Sequence, residues 1–196
     1  MMSLAKGYVA LLLHAHLPFV RHPDYDNFIE ERWLFEAISE TYIPLLEVLD
    51  KLDSENTDYR LTMSITSTLL TMLSDRLLLE KYEAYLSKLI VLAEREIART
   101  EKTPEFNRLA IMYHDKFSSD LRLFTEKYGH NLVKAFKRHQ DDKKLEIMAC
   151  TATHGFLPLL NHPPQCLDAQ IKTGIDSYIS FFGKRQIGRA SCRERV

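Results

Sequence analysis

The stretch Gly7-Tyr8-Val9-Ala10-Leu11-Leu12-Leu13-His14-Ala15-His16-Leu17-Pro18-Phe19 constrains the fold more than any other. Tyr8 to Leu13 is apolar or aromatic throughout and carries no charge. That is the pattern of a strand buried on both faces of a parallel sheet. Two histidines follow at i and i+2, where the strand gives way to a loop. Alternation along an extended chain points both rings to one side, and Pro18 stops the strand. In barrels and open α/β sheets, chemistry sits at the carboxyl ends of the strands. The first strand therefore delivers a histidine pair to the place where a site is expected.

Two further strands are expected, over Tyr59–Thr66 and Leu145–Cys150. The first ends in hydroxyls (Ser64, Thr66, Ser67, Thr68), the second in Thr151-Ala152-Thr153-His154-Gly155-Phe156. Ahead of them, Asn27 with Glu30 reads as a weak capping box. It precedes a helix over Phe28–Leu52 that Pro44 should kink near Tyr42-Ile43. Asp53 to Asp58 reads as a turn. Thr68 to Arg138 is helical in pattern. Asp75 caps a long helix ending near Thr100, Thr103-Pro104 starts another, Gly129 ends it, and a shorter one runs to about Gln140. This exceeds what a minimal crossover between parallel strands needs. Leu157 to Pro164 is a loop or short helical turn. A last helix spans Gln165–Phe182, with Gly183 at its end and Gly174 weakening it. The fold class is α/β with a large helical insertion. Three strands cannot close a barrel of roughly 250 residues, so the pattern is that of the first part of something larger.

The 196 residues carry 26 basic and 27 acidic side chains, a net charge of −1. Nothing there points to nucleic acid or to electrostatic attachment to a membrane. The first apolar run is too short to span a bilayer and no cleavage site follows it, which reads as cytoplasmic. Cys150, Cys166 and Cys192 form no CxxC pair, which favours reduced thiols.

Three readings of His14 and His16 stand side by side. They are structural, or they belong to a metal site completed by His154 or by Asp24 or Asp26, or they hydrogen-bond the hydroxyls of a sugar. Trp33, the single tryptophan, is either a core residue or a surface that stacks on a sugar face. His114, His130 and His139 read as surface or packing residues, Cys150 as a small buried hydrophobe, and Glu94-Arg95-Glu96 as a solvated helix face. Retaining glycoside chemistry needs two acids about 5–5.5 Å apart, and the three strand ends offer none. The acids nearest the first site, Asp24, Asp26, Glu30, Glu31 and Glu36, lie in the loop and helix after it.

Leu12-Leu13-His14-Ala15-His16-Leu17-Pro18-Phe19 resembles the first signature of glycoside hydrolase family 57. The segment from Arg32-Trp33-Leu34-Phe35-Glu36 to Tyr42-Ile43-Pro44-Leu45-Leu46 is similar to the next segment of that family's 1,4-α-glucan branching enzymes. Ala152-Thr153-His154-Gly155-Phe156-Leu157-Pro158-Leu159-Leu160 is similar to their second signature. The resemblance runs from about Lys6 to Lys184. It implies residues 6–184 as the amino-terminal part of a catalytic domain, and a fold that is the first part of an incomplete (β/α)7 barrel. It implies a retaining double displacement on α-1,4-glucan, with a glutamate nucleophile, an aspartate acid/base, and a glucan 6-hydroxyl as acceptor. It places His14, His16 and His154 in the substrate cleft and Trp33 at its edge, with no metal or cofactor required. The partner implied is an α-1,4-glucan such as glycogen, amylose or a starch-like polysaccharide.

The sequence departs from the family at about Arg185. The helix ending in Phe181-Phe182-Gly183-Lys184 should lead into a strand reading Trp-Leu-Pro-Glu, whose glutamate is the nucleophile. Instead an arginine-rich stretch occupies 185–196, resembling foreign or frame-shifted sequence. The expectation is an amino-terminal fragment of a branching enzyme, itself inactive. Alternatives are an α-amylase or 4-α-glucanotransferase of the same family, a non-catalytic glucan-binding module, and a metal-dependent hydrolase built on His14, His16 and His154.

Overall fold

The computed structural model describes residues 7, 9–160 and 162–185. Tyr8, Cys192 and the stretch 186–196 lie outside the described residues. The chain divides into two compact units. The first collects the described parts of Met1–Pro18, Thr57–Leu70 and Lys137–Val196; the second comprises Phe19–Asn56 and Thr71–Phe136.

The first unit is built on three parallel strands in the order β1 (Leu12–Ala15), β2 (Leu61–Ile65), β3 (Leu145–Met148). The parallel α/β arrangement agrees with the expectation. One detail does not. The apolar run before the histidines is not buried on both faces: Val9 is 99% exposed, Leu11 61% and Leu12 54%. Val9 and Leu11 precede β1, an edge strand of this sheet paired to β2, and within β1 it is Ala15 that is buried. The strand also begins at Leu12 and takes His14 into itself. β2, in the middle, buries Met63, Ser64 and Ile65. From β3, Ile147 is fully buried, and its carbonyl accepts a hydrogen bond (2.9 Å) from the Tyr178 hydroxyl. Tyr178 belongs to the last helix of the unit, Pro164–Phe182, which starts on a proline and ends on Gly183 in the left-handed region (φ 72°), as its sequence signals require.

The second unit is helical. A continuous helical run begins with α1 (Glu31–Ala37), not at Phe28. Asn27 does not cap it; the residue preceding α1 is Glu30, which makes no side-chain cap. The expected kink before Pro44 takes a specific form, a π-helical turn over Ile38–Tyr42 leading into α2 (Ile43–Ser54). Proline lacks an N–H and its ring clashes with the preceding turn, and a wider turn relieves that clash. In this register the Ser39 carbonyl would accept from residue 44, which has no hydrogen to give. Lys116 supplies it, its Nζ donating to Ser39 O at 2.8 Å while pairing with Asp120 at 2.8 Å. The Ser39 hydroxyl shares a 2.8 Å hydrogen bond with Tyr82. Asp120 is 3% exposed, and burial raises its carboxyl pKa against the opposing pull of Lys116.

After the short α3 (Ser67–Met72), α4 (Arg76–Arg99) starts at Asp75, whose carboxylate accepts from Leu78 N at 3.0 Å and also pairs with Arg21 at 2.7 Å. α5 (Pro104–Arg122) starts at Thr103-Pro104, although the Thr103 hydroxyl bonds back to Thr100 O instead of capping. α5 runs on through a second π-helical turn, Leu123–Lys127, and Gly129 at φ 55° comes after it, ahead of α6 (Leu132–Asp141). The helix Pro164–Phe182 of the first unit is α7.

Tyr42, 4% exposed, has its phenol pKa pushed up to about 12 by burial. A folded-state pKa above the unfolded one contributes stability that is whole below about pH 10 and is lost as pH rises towards 12. The expected contribution is about 2–3 kcal/mol at this site. Tyrosinate absorbance tracked against unfolding should show alkaline denaturation over that window, and Tyr42→Phe should move its midpoint upward. An unchanged midpoint would contradict the assignment.

Candidate active site

The carboxyl ends of the three strands converge on histidine and hydroxyl side chains within the first unit. His14 and Ser64 are register partners across β1 and β2. Side chains so paired share a face, and His14 Nδ1 meets Ser64 Oγ at 2.5 Å. Two residues on, His16 Nδ1 meets Thr66 Oγ1 at 3.2 Å. Thr66 Oγ1 is also 3.1 Å from Thr68 Oγ1, which donates to the Leu17 carbonyl at 3.2 Å. Ser64 is 1% and Thr66 0% exposed. Buried hydroxyls can act as either donor or acceptor and so fix the orientation of both rings. The hydroxyl-rich end of β2 is thus the support for the histidine pair on β1.

His154 joins from the segment after β3. Its ring centroid lies 4.9 Å from that of His14 and 4.1 Å from that of His16; the His14 and His16 rings stack at 6.3 Å, as expected for side chains at i and i+2. Two features coincide at His154. Its backbone is left-handed (φ 59°), a conformation that costs a side-chain-bearing residue roughly 1–2 kcal/mol. Its Nδ1 is buried without a hydrogen-bond partner. Left-handed backbone at residues with side chains is enriched at functional sites.

The structure therefore brings three of the four sequence-predicted residues together. Trp33 lies on α1 in the second unit and is 48% exposed, which sets aside the core reading. The structural role assigned to His139 holds: it is fully buried and meets the Tyr59 hydroxyl at 3.3 Å. Cys150 is buried and Cys166 exposed, and neither is in a disulfide. Among the described residues no group of three or more His, Cys, Asp or Glu side chains is arranged to hold a metal ion. The three imidazoles meet ring against ring. The segments after the strands, Thr66–Thr68 and Ala149–His154 as well as His16–Pro18, contain no carboxylate. Asp58, Asp141 and Asp168 in this unit pair with Arg60, Lys137 and Lys172, and Asp142, Glu146 and Asp176 lie outside these segments.

Two residues that the sequence did not mark hold the segment carrying His154. Gln170 on α7 accepts from Ala152 N with its carbonyl (3.0 Å) and from Thr153 N with Oε1 (3.1 Å). Gly174, read from sequence as a weakness in the helix, lets α7 touch the backbone of Cys150–Ala152. A Cβ there would collide with the Cys150 carbonyl oxygen and stand 3.2 Å from both Thr151 Cα and Ala152 N. A glutamine and a glycine four apart in a helix carry no sequence signal of this kind, because their partners are about twenty residues away.

A family model described as glycosyl hydrolase family 57 matches residues 10–188. A 1,4-alpha-glucan branching enzyme of Thermococcus kodakarensis is 30% identical over 183 residues, 93% of this chain and 26% of that enzyme. Its crystal structure, in complex with glucose and additives, matches with a TM-score of 0.86 at 28% identity, covering 95% of this chain and 33% of that one. The crystal structure of an α-amylase from Thermotoga maritima matches with a TM-score of 0.89 at 46% identity, covering 96% and 36%. The chain thus spans about a quarter to a third of the length of the relatives it matches, and corresponds to the first part of their (β/α)7 barrel. No helix among the described residues is long and apolar enough to cross a membrane. With the model match extending over nearly all of its residues, the chain belongs to glycosyl hydrolase family 57.

Proposed function

We propose that residues 6–184 form the amino-terminal part of the catalytic domain of a cytoplasmic 1,4-α-glucan branching enzyme, and that His14, His16 and His154 bind its α-1,4-glucan. The observation that carries this reading is the meeting of the three imidazoles at the ends of parallel strands, with two of them held by hydroxyls and one by strained backbone. Neutral imidazoles donate to and accept from sugar hydroxyls. The half-exposed Trp33 offers an apolar face for stacking on a pyranose ring. Turnover needs a carboxylate pair, which these strand ends do not supply. The 196-residue polypeptide binds glucan and does not rearrange it.

The test has two parts. Calorimetry with maltoheptaose should give saturable binding, weakened about tenfold by His16→Ala, the loss of one good hydrogen bond. Incubation with amylose should leave both reducing ends and α-1,6 links unchanged. New α-1,6 links from the purified chain would overturn the inactivity. The likeness to the Thermotoga α-amylase at 46% identity favours hydrolysis as the second reading. New reducing ends without branches would select it.

A further inference from the structure

We propose that Gln170 is a positioning residue that holds His154 in the ligand-facing conformation. This rests on the reading of the histidine cluster as a glucan site. His154 holds a left-handed backbone, and its ring Nδ1 does not help to fix it by a hydrogen bond. The His154 amide reaches Thr151 O at 3.3 Å, a bond within the same turn. Gln170 grips the two residues just before His154. Gln170 takes Ala152 N on its main-chain carbonyl and Thr153 N on Oε1, and its Nε2 donates to Thr153 Oγ1 at 2.9 Å. Oε1 lies 3.2 Å from the same hydroxyl. One amide side chain thus addresses both the backbone and the side chain of Thr153. Gly174, one turn along α7, keeps the helix backbone close enough for this reach. Pulling Thr153 onto the helix leaves His154 to turn back over His14 and His16.

The Gln170 contacts are partly open to water, so their loss spares the core and releases the loop. The experiment compares Gln170→Met, which keeps length and loses both amide functions, with Gln170→Glu, which keeps an acceptor for Thr153 N. Ring signals of the histidines are recorded by NMR without sugar, and maltoheptaose affinity is measured separately. The expected result is a displaced His154 signal and about tenfold weaker sugar binding in Gln170→Met, with the His154 signal restored in Gln170→Glu. Should Gln170→Met not fold, Thr153→Val removes the same hydroxyl grip from the other partner and must displace the same signal. An unmoved His154 signal in the folded variant overturns the proposal. Absence of maltoheptaose binding by the unsubstituted chain sinks the glucan reading alone, and the NMR signal still decides the positioning role.

Discussion

Lys81→Met is expected to lower stability by about 3–5 kcal/mol, the cost of leaving a buried charge without its partner. Glu31 is 1% exposed and Lys81 13% by side chain, and they meet at 2.8 Å. Lys81 Nζ also donates to the carbonyls of His22 (2.9 Å) and Tyr25 (2.7 Å), while Glu31 accepts from His22 N at 2.9 Å. One ion pair therefore ties α4 to the start of α1 and to the loop before it. In a chain of this length the loss corresponds to a fall in melting temperature of about 10 °C. The double variant Glu31→Leu with Lys81→Met should recover much of it, because two apolar residues replace two charges that had to be desolvated. Thermal melts of the single and double variants check this. Equal destabilisation in both would mean that the hydrogen bonds to the loop, and not the orphaned charge, carry the effect.

Gly174→Val is expected to cost about 3 kcal/mol or more, the upper range for overpacking. The obstacle is backbone, not the flexible end of a side chain: the Cys150 carbonyl oxygen and the main chain of Thr151 and Ala152. To admit the side chain, α7 must move off the segment that carries His154, so stability and glucan binding should fall together. Denaturant unfolding measured beside maltoheptaose affinity would show this. A variant of native stability would contradict the close approach.

The features legible in the sequence are mostly local. Asp75 before α4, Pro104 at the start of α5, Gly129 after the second π-helical turn and Gly183 after α7 act within one turn of themselves, and each stands where its chemistry requires. The histidine pair is legible because side chains at i and i+2 on an extended chain share a face. Pro44 announces a disruption but not its form; the Ser39 carbonyl left over at the π-helical turn is taken by Lys116, far along the chain. The exposure of the apolar run ahead of the histidines is not legible, because apolar composition reports what a segment could bury and not what packs against its faces. Glu31 and Lys81 carry no local sign of burial; their pairing across 50 residues buries them. Ser64, Thr66 and Gln170 support the histidines through partners that no local pattern names.

NMR of the histidine-labelled chain, titrated with maltoheptaose, tests whether the three strand ends form a glucan site. The signals of His14, His16 and His154 should shift together along one saturation curve, while those of His114, His130 and His139 stay in place. Shifts spread over all the histidines, or none at saturating sugar, would contradict a glucan site at the ends of the three strands.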